Sequence, residues 1–187
     1  MLNFTFTPFP NLKTERLALR QLNNKDENAL VKLRSDERVN EFIGRSKSIS
    51  PEEVKKFIDK INTGISKDEA MYWAITLKNE DELIGTICLW NLDKENCKGE
   101  VGFELFPEFQ GKGLMKEALT KVLDYAFNIM KLHTIEGFAN ENNIRSIKLM
   151  EKYNFKRDTE LEKEIAKEDE QFKNMVIYTV SSYTVNS

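Results

Sequence analysis

The feature that most constrains this 187-residue chain is a change of hydrophobic period near its middle. Between Met71 and Phe106 the apolar residues gather into three strand-like runs, residues 71–77, 82–90 and 99–106. Short polar connections, residues 78–81 and 91–98, separate them and suggest an antiparallel meander. From Met115 the period lengthens: Met115, Ala118, Leu119, Val122, Ala126 and Ile129 recur at helical spacing. Strands feeding directly into a long amphipathic helix predict a mixed α/β domain.

The flanking segments extend that pattern. Residues 16–22 (RLALRQL) alternate as a half-buried strand, and residues 26–39 read as a helix with Ala29, Leu30 and Leu33 on one face. Ser50, Pro51 and Glu53 form a helix start, with Ser as N-cap, Pro at the first position and Glu at the third. Val54, Phe57, Ile58 and Ile61 continue that helix, and Gly64 is expected to stop it. Residues 134–139 predict a short strand and residues 143–152 a second helix, after which 155–165 and 172–180 are expected to pair as a hairpin. The expected order is β-α-α-β-β-β-α-β-α-β-β, an α/β (α+β) mixed sheet in one domain over residues 1–187.

Bulk chemistry removes several functions from consideration. A formal net charge of −3 provides no basic face for nucleic acid. No apolar stretch approaches membrane-spanning length, and the first residues lack a basic, then apolar, leader, so a cytoplasmic location is expected. Two cysteines, Cys88 and Cys97, make no disulfide framework. With His133 as the only histidine, neither a metal site nor a histidine-dependent nucleophile has support.

The chemistry concentrates at the junction of strand and helix. Pro107 cannot donate to a ladder and ends the third strand. Within five residues come Gln110, Gly111, Lys112, Gly113, Leu114 and Met115, then the helix. Glycines let an anion approach the backbone, and the free N–H groups and dipole at a helix start favour phosphate. A P-loop is excluded, because Phe106 and Gly113 stand where Gly and Ser or Thr would be required. A dinucleotide fingerprint fails at Lys116. The residues alone indicate an anion-binding loop or a tight turn.

Gln110-x-x-Gly113 resembles the acetyl-CoA loop of the GNAT acetyltransferase superfamily. Thr14-Glu15-Arg16-Leu17-x-Leu19-Arg20, Gly102-Phe103-Glu104-Leu105, Glu117-Ala118 and Asn143-x-x-Ser146 with Glu151-Lys152 resemble its RimJ/RimL-like branch, in the family's order. The resemblance implies acetyl-CoA as cosubstrate, no metal, and transfer of an acetyl group to a primary amine. It also implies a V-shaped cleft between two parallel strands. There Leu105 and Phe106 would offer backbone groups to pantetheine. The N–H groups of Gln110, Gly111, Lys112, Gly113, Leu114 and Met115 would hold the pyrophosphate. Asn143 would bond the pantetheine arm, with Ser146 near the thiol; the alternative for Asn143 is a helix N-cap. Glu104, sharing a strand face with Glu100, Gly102 and Phe106, is the candidate base.

Two positions depart from the pattern. Met115 stands where the loop expects Gly or Ala, and Met150 where many members carry a tyrosine acid, which leaves Ser146 as the expected donor. Tyr153 is expected to pack against the sheet, and Asn154 replaces a glycine at a position suited to positive φ. The acceptor implied is a protein N-terminal α-amine, or a small amine such as a polyamine or antibiotic, on a monomer or homodimer. Acceptor choice is expected to reside in residues 26–64 and 155–172, including an acidic stretch, 160–170. The competing reading is a non-catalytic acyl-CoA-binding or regulatory module.

Overall fold

Alternation in the middle of the chain does produce a meander, and it forms the centre of a larger sheet. The computed structural model describes residues 5–43 and 49–182. Its strands are β1 (Leu12–Lys13), β2 (Leu17–Gln21), β3 (Met71–Leu77), β4 (Leu83–Asp93), β5 (Lys98–Leu105), β6 (Thr134–Asn140), β7 (Lys156–Arg157) and β8 (Met175–Ser181). They form one sheet in the order β1-β2-β3-β4-β5-β6-β8-β7, antiparallel except where β5 meets β6. From Leu83 to Leu89, β4 is buried on both faces, as its near-continuous apolar run requires.

Helices cover both faces. α1 (Glu27–Ser35), α2 (Glu37–Asn40) and α3 (Pro51–Ser66) bury Leu30, Leu33, Val39, Val54 and Ile58 against Leu22, Ala74 and Leu83. α4 (Leu114–Asp124) and α5 (Ile144–Glu151) pack Leu114, Ala118, Leu119, Val122 and Met150 into the larger core with Trp73, Ile87, Val101 and Ile135. Among the described residues, no helix is long and apolar enough to cross a membrane.

Four local expectations need correction. The first helix breaks at Asp36, which ends α1 and caps α2 by accepting from the Arg38 N–H. α3 has the expected capping box at Ser50 and Glu53 but runs through Gly64 to Ser66. The amphipathic helix ends as α-helix at Asp124 and continues as a π-turn, Tyr125–Ile129. The largest change is near the C-terminus, where only Lys156–Arg157 extends; Thr159–Glu168 is a helix, α6, in place of a long hairpin strand. Asp158 caps α6 by accepting from the Leu161 N–H at 3.1 Å. Glu162 then ties it to the sheet, accepting from Arg157 and from the Ile177 N–H at 2.9 Å. The segment is rich in Glu and Lys, which favour helix over strand.

Candidate active site

The sheet opens where its two parallel strands part. β5 and β6 are in register from Lys98 opposite Thr134 to Val101 opposite Gly137. Beyond that, β5 runs on to Leu105 beside β4, and β6 to Asn140 beside β8, without pairing each other. The Phe106 N–H donates to Ile84 on the β4 side at 3.0 Å. Alternation then turns the backbone groups of Leu105 toward the opening. Phe106, expected to offer backbone groups there with Leu105, has its N–H on Ile84 and its carbonyl accepting from the Phe109 N–H at 2.9 Å. The Leu105 carbonyl accepts from the Gln110 side-chain amide at 2.8 Å.

Past a short 3-10 turn, Pro107–Phe109, the loop enters α4 through Gly111 at φ 74° and Gly113 at φ 77°. Both lie in the left-handed region that glycine adopts without steric cost. Gly113 caps α4 without any side-chain hydrogen bond to its first turn. The helix start therefore offers N–H groups and the positive end of its dipole to an anion. Across the opening, Arg145 at the start of α5 donates to the Gln110 side-chain oxygen Oε1 at 2.9 Å.

Asn143 is the N-cap of α5, its side-chain oxygen accepting from the Ser146 N–H at 3.2 Å. Its amide NH₂ remains available for a ligand, so capping and binding are compatible. The Ser146 hydroxyl has no protein partner among the described residues. Met150 is buried, and its sulfur fills the space where a side chain at Gly137 would stand. Tyr153 packs against the larger core, and its hydroxyl donates to the Lys116 carbonyl of α4 at 2.6 Å and meets Thr120. Asn154 adopts φ 61°, the conformation anticipated for it.

Glu104 is 9% exposed, on the face covered by α1 to α3. Thr86, its register partner on β4, donates to Glu104 Oε1 at 3.3 Å. Tyr72 Oη lies 3.1 Å from the Thr86 hydroxyl. Burial, and then the nearby Glu104, push the Tyr72 phenol well above its ordinary range. Burial also pushes the Cys88 thiol up to about 12, so both groups stay protonated near neutrality. Glu100, two residues beyond Gly102 on the same face, is shifted upward by burial although Asn91 donates to it at 2.8 Å. Sequence reading had not singled out Tyr72, Thr86 or Arg145; strand alternation would place Tyr72 and Thr86 on a face, but only register sets them beside Glu104.

A cavity of about 420 Å³ lies elsewhere, walled by Arg20, Asp26, Lys32, Asp81 and Phe106. Of the candidate residues it touches only Phe106, and Arg20 and Asp26 satisfy each other across 2.7 Å.

A splayed parallel pair beside an uncapped glycine loop is the arrangement anticipated for an acyl-CoA cleft. The family description "Acetyltransferase (GNAT) domain" matches residues 16–156. The chain belongs to the GNAT acetyltransferase family. Membership makes it an N-acetyltransferase by class. It is 32% identical to the uncharacterized N-acetyltransferase p20 of Bacillus licheniformis, over 79% of this chain and 83% of that protein. A GNAT-family acetyltransferase structure from Bacillus anthracis superposes with a TM-score of 0.75 at 26% identity, covering 92% of this chain and 98% of that one. RimL, a ribosomal L7/L12 α-N-protein acetyltransferase solved with coenzyme A, gives a TM-score of 0.76, covering 92% of this chain and 98% of RimL. At 15% identity, that likeness shows a shared GNAT fold alone.

Proposed function

We propose that this GNAT enzyme binds acetyl-CoA in the cleft between β5 and β6 and transfers the acetyl group to a primary amine. The observation that carries the reading is the parting of β5 from β6 after Val101, next to the uncapped start of α4. Gly111, Lys112, Gly113, Leu114 and Met115 hold the pyrophosphate by their N–H groups, and Met115 can do so because the contact is made by backbone; the Gln110 N–H, expected to join them, donates instead to the Pro107 carbonyl at 3.1 Å. Leu105 and Asn143 bond the pantetheine arm, Leu105 once Gln110 releases its carbonyl. RimL, of the same fold, was solved with coenzyme A.

Glu104 takes the proton from the acceptor ammonium, so that the neutral nitrogen attacks the thioester carbonyl carbon. As the carbon–sulfur bond breaks, Ser146 passes a proton to the departing thiolate and takes up the one that the acylated nitrogen loses, so the hydroxyl is restored. Thr86 and Tyr72 fix the Glu104 carboxylate and, being protonated, leave it as the proton acceptor of the group. Glu100 and Glu104 on one face, with Gly102 between them, suit a cationic acceptor. The RimL-like resemblance makes that acceptor a protein N-terminal α-amine; a small amine, such as a polyamine or antibiotic, is the second candidate.

The test is release of free thiol from acetyl-CoA with peptides, polyamines and aminoglycosides as acceptors. Acceptor-dependent release, with the acetylated amine identified by mass, is expected. Tight CoA binding without turnover for any acceptor would instead make the chain a binding module, the reading favoured by the loss of a tyrosine at Met150.

A further inference from the structure

The motif Thr14-Glu15-Arg16 lies far from the cleft in sequence, yet it is bolted to the glycine loop. Thr14 to Leu17 form the turn between β1 and β2, closed by the Thr14 N–H to the Leu17 carbonyl at 3.0 Å. From this turn, the Thr14 hydroxyl and the Arg16 N–H both donate to Glu117 Oε1, the latter at 2.8 Å. Arg16 Nε donates to Glu117 Oε2 at 2.7 Å. Its Nη1 reaches past the helix to the Lys112 carbonyl at 3.0 Å. Partial burial pushes the Glu117 carboxyl up, but Thr14 and Arg16 outweigh it and hold the group below its ordinary value.

Two consequences follow from elementary chemistry. A trans peptide points its C=O and the following N–H to opposite sides. Anchoring the Lys112 carbonyl on Arg16 therefore turns the Gly113 N–H to the other side of the loop. This matters because glycines at 111 and 113 leave the intervening peptide little restraint of its own. Secondly, Glu117 sits in the first turn of the helix whose start would receive an anion. An uncovered carboxylate there would repel a pyrophosphate, and Arg16 covers it.

We propose that Arg16 is a positioning residue for the pyrophosphate of the acyl donor, orienting the Lys112–Gly113 peptide and neutralising Glu117. The proposal rests on the acetyl-CoA reading above, and its test separates the two. S-acetylpantetheine carries the same thioester but no pyrophosphate, so it should not sense the clamp.

Steady-state kinetics on the full chain with each donor would decide it. Arg16→Met should raise KM for acetyl-CoA about tenfold or more, the scale of a lost charge-assisted hydrogen bond, while kcat changes by less than about twofold. KM for S-acetylpantetheine should stay within about twofold. Adding Glu117→Gln to Arg16→Met should recover part of the loss, because the uncovered charge is gone. Arg16→Lys keeps a cation beside Glu117 but does not span to the Lys112 carbonyl, and should fall between the two. A change shared equally by both donors, or loss of activity with both, would overturn the proposal in favour of a structural role. Unchanged kinetics with acetyl-CoA would overturn it too. If the unaltered protein uses neither donor, the proposed reaction fails. The clamp is then judged by titrating CoA against pantetheine, where Arg16→Met should weaken only CoA.

Discussion

Glu104 combines burial with a fixed orientation. Thr86 donates to one of its oxygens, and Tyr72 lies behind Thr86. Glu104→Gln keeps the shape and a carbonyl for Thr86 but removes the proton acceptor. It should lower kcat by about a hundredfold and leave KM for acetyl-CoA little changed. Full activity across the pH range would rule Glu104 out as the base. Met150 illustrates the opposite case, a candidate position filled by packing. Its side chain is buried against Gly137, so restoring a tyrosine by Met150→Tyr should overpack the core by about 1–3 kcal/mol, read as a lower melting temperature, without raising kcat. Glu117 provides a pH signature. Its carboxyl is held below its ordinary value of 4.5, so its contribution to stability is present above that pH and disappears as pH falls through the lowered value. The stability gap between the unaltered protein and Glu117→Gln, measured by urea unfolding, should therefore narrow as pH falls from 4.5 through the lowered value.

At the scale of elements, the local signals that held were those with a specific cap or breaker. Ser50, Pro51 and Glu53 started α3 as expected, and Pro107 ended β5. The long C-terminal hairpin strand expected over residues 155–165 gives way to α6, because Asp158 caps a helix there and the Glu- and Lys-rich turn after it favours one. That helix was legible in the sequence. The tie from Glu162 to Arg157 and Ile177 was not, since it joins α6 to a strand across a register that local pattern does not encode. α5 carries a prediction of its own. Asn143→Ala removes the cap and the available amide together, so it should cost about 1 kcal/mol in denaturant unfolding and also weaken CoA binding by titration. If CoA affinity is unchanged while stability falls, Asn143 is a cap and nothing more.

Across the whole molecule, the cleft draws on β5, the loop entering α4, and the start of α5, brought together by one parallel pairing in an otherwise antiparallel sheet. A ligand spanning these pieces binds the folded chain and not the unfolded one. CoA at about a hundred times its dissociation constant should therefore stabilise the protein by about 2.7 kcal/mol, seen as a rise in melting temperature. Residues 44–48, within the segment expected to choose the acceptor, lie outside the described residues. The amino-acid sequence by itself determined the order of most elements, the glycine loop at the strand–helix junction and the face on which Glu104 lies, because each follows from local period, breakers and caps. Only the tertiary structure decided where β5 leaves β6, that Thr86 and Tyr72 stand behind Glu104, that Met150 is spent on packing, and that Arg16 reaches the loop. These depend on register and on contacts between residues as far apart as Arg16 and Glu117, and no local pattern encodes which partner a distant side chain meets.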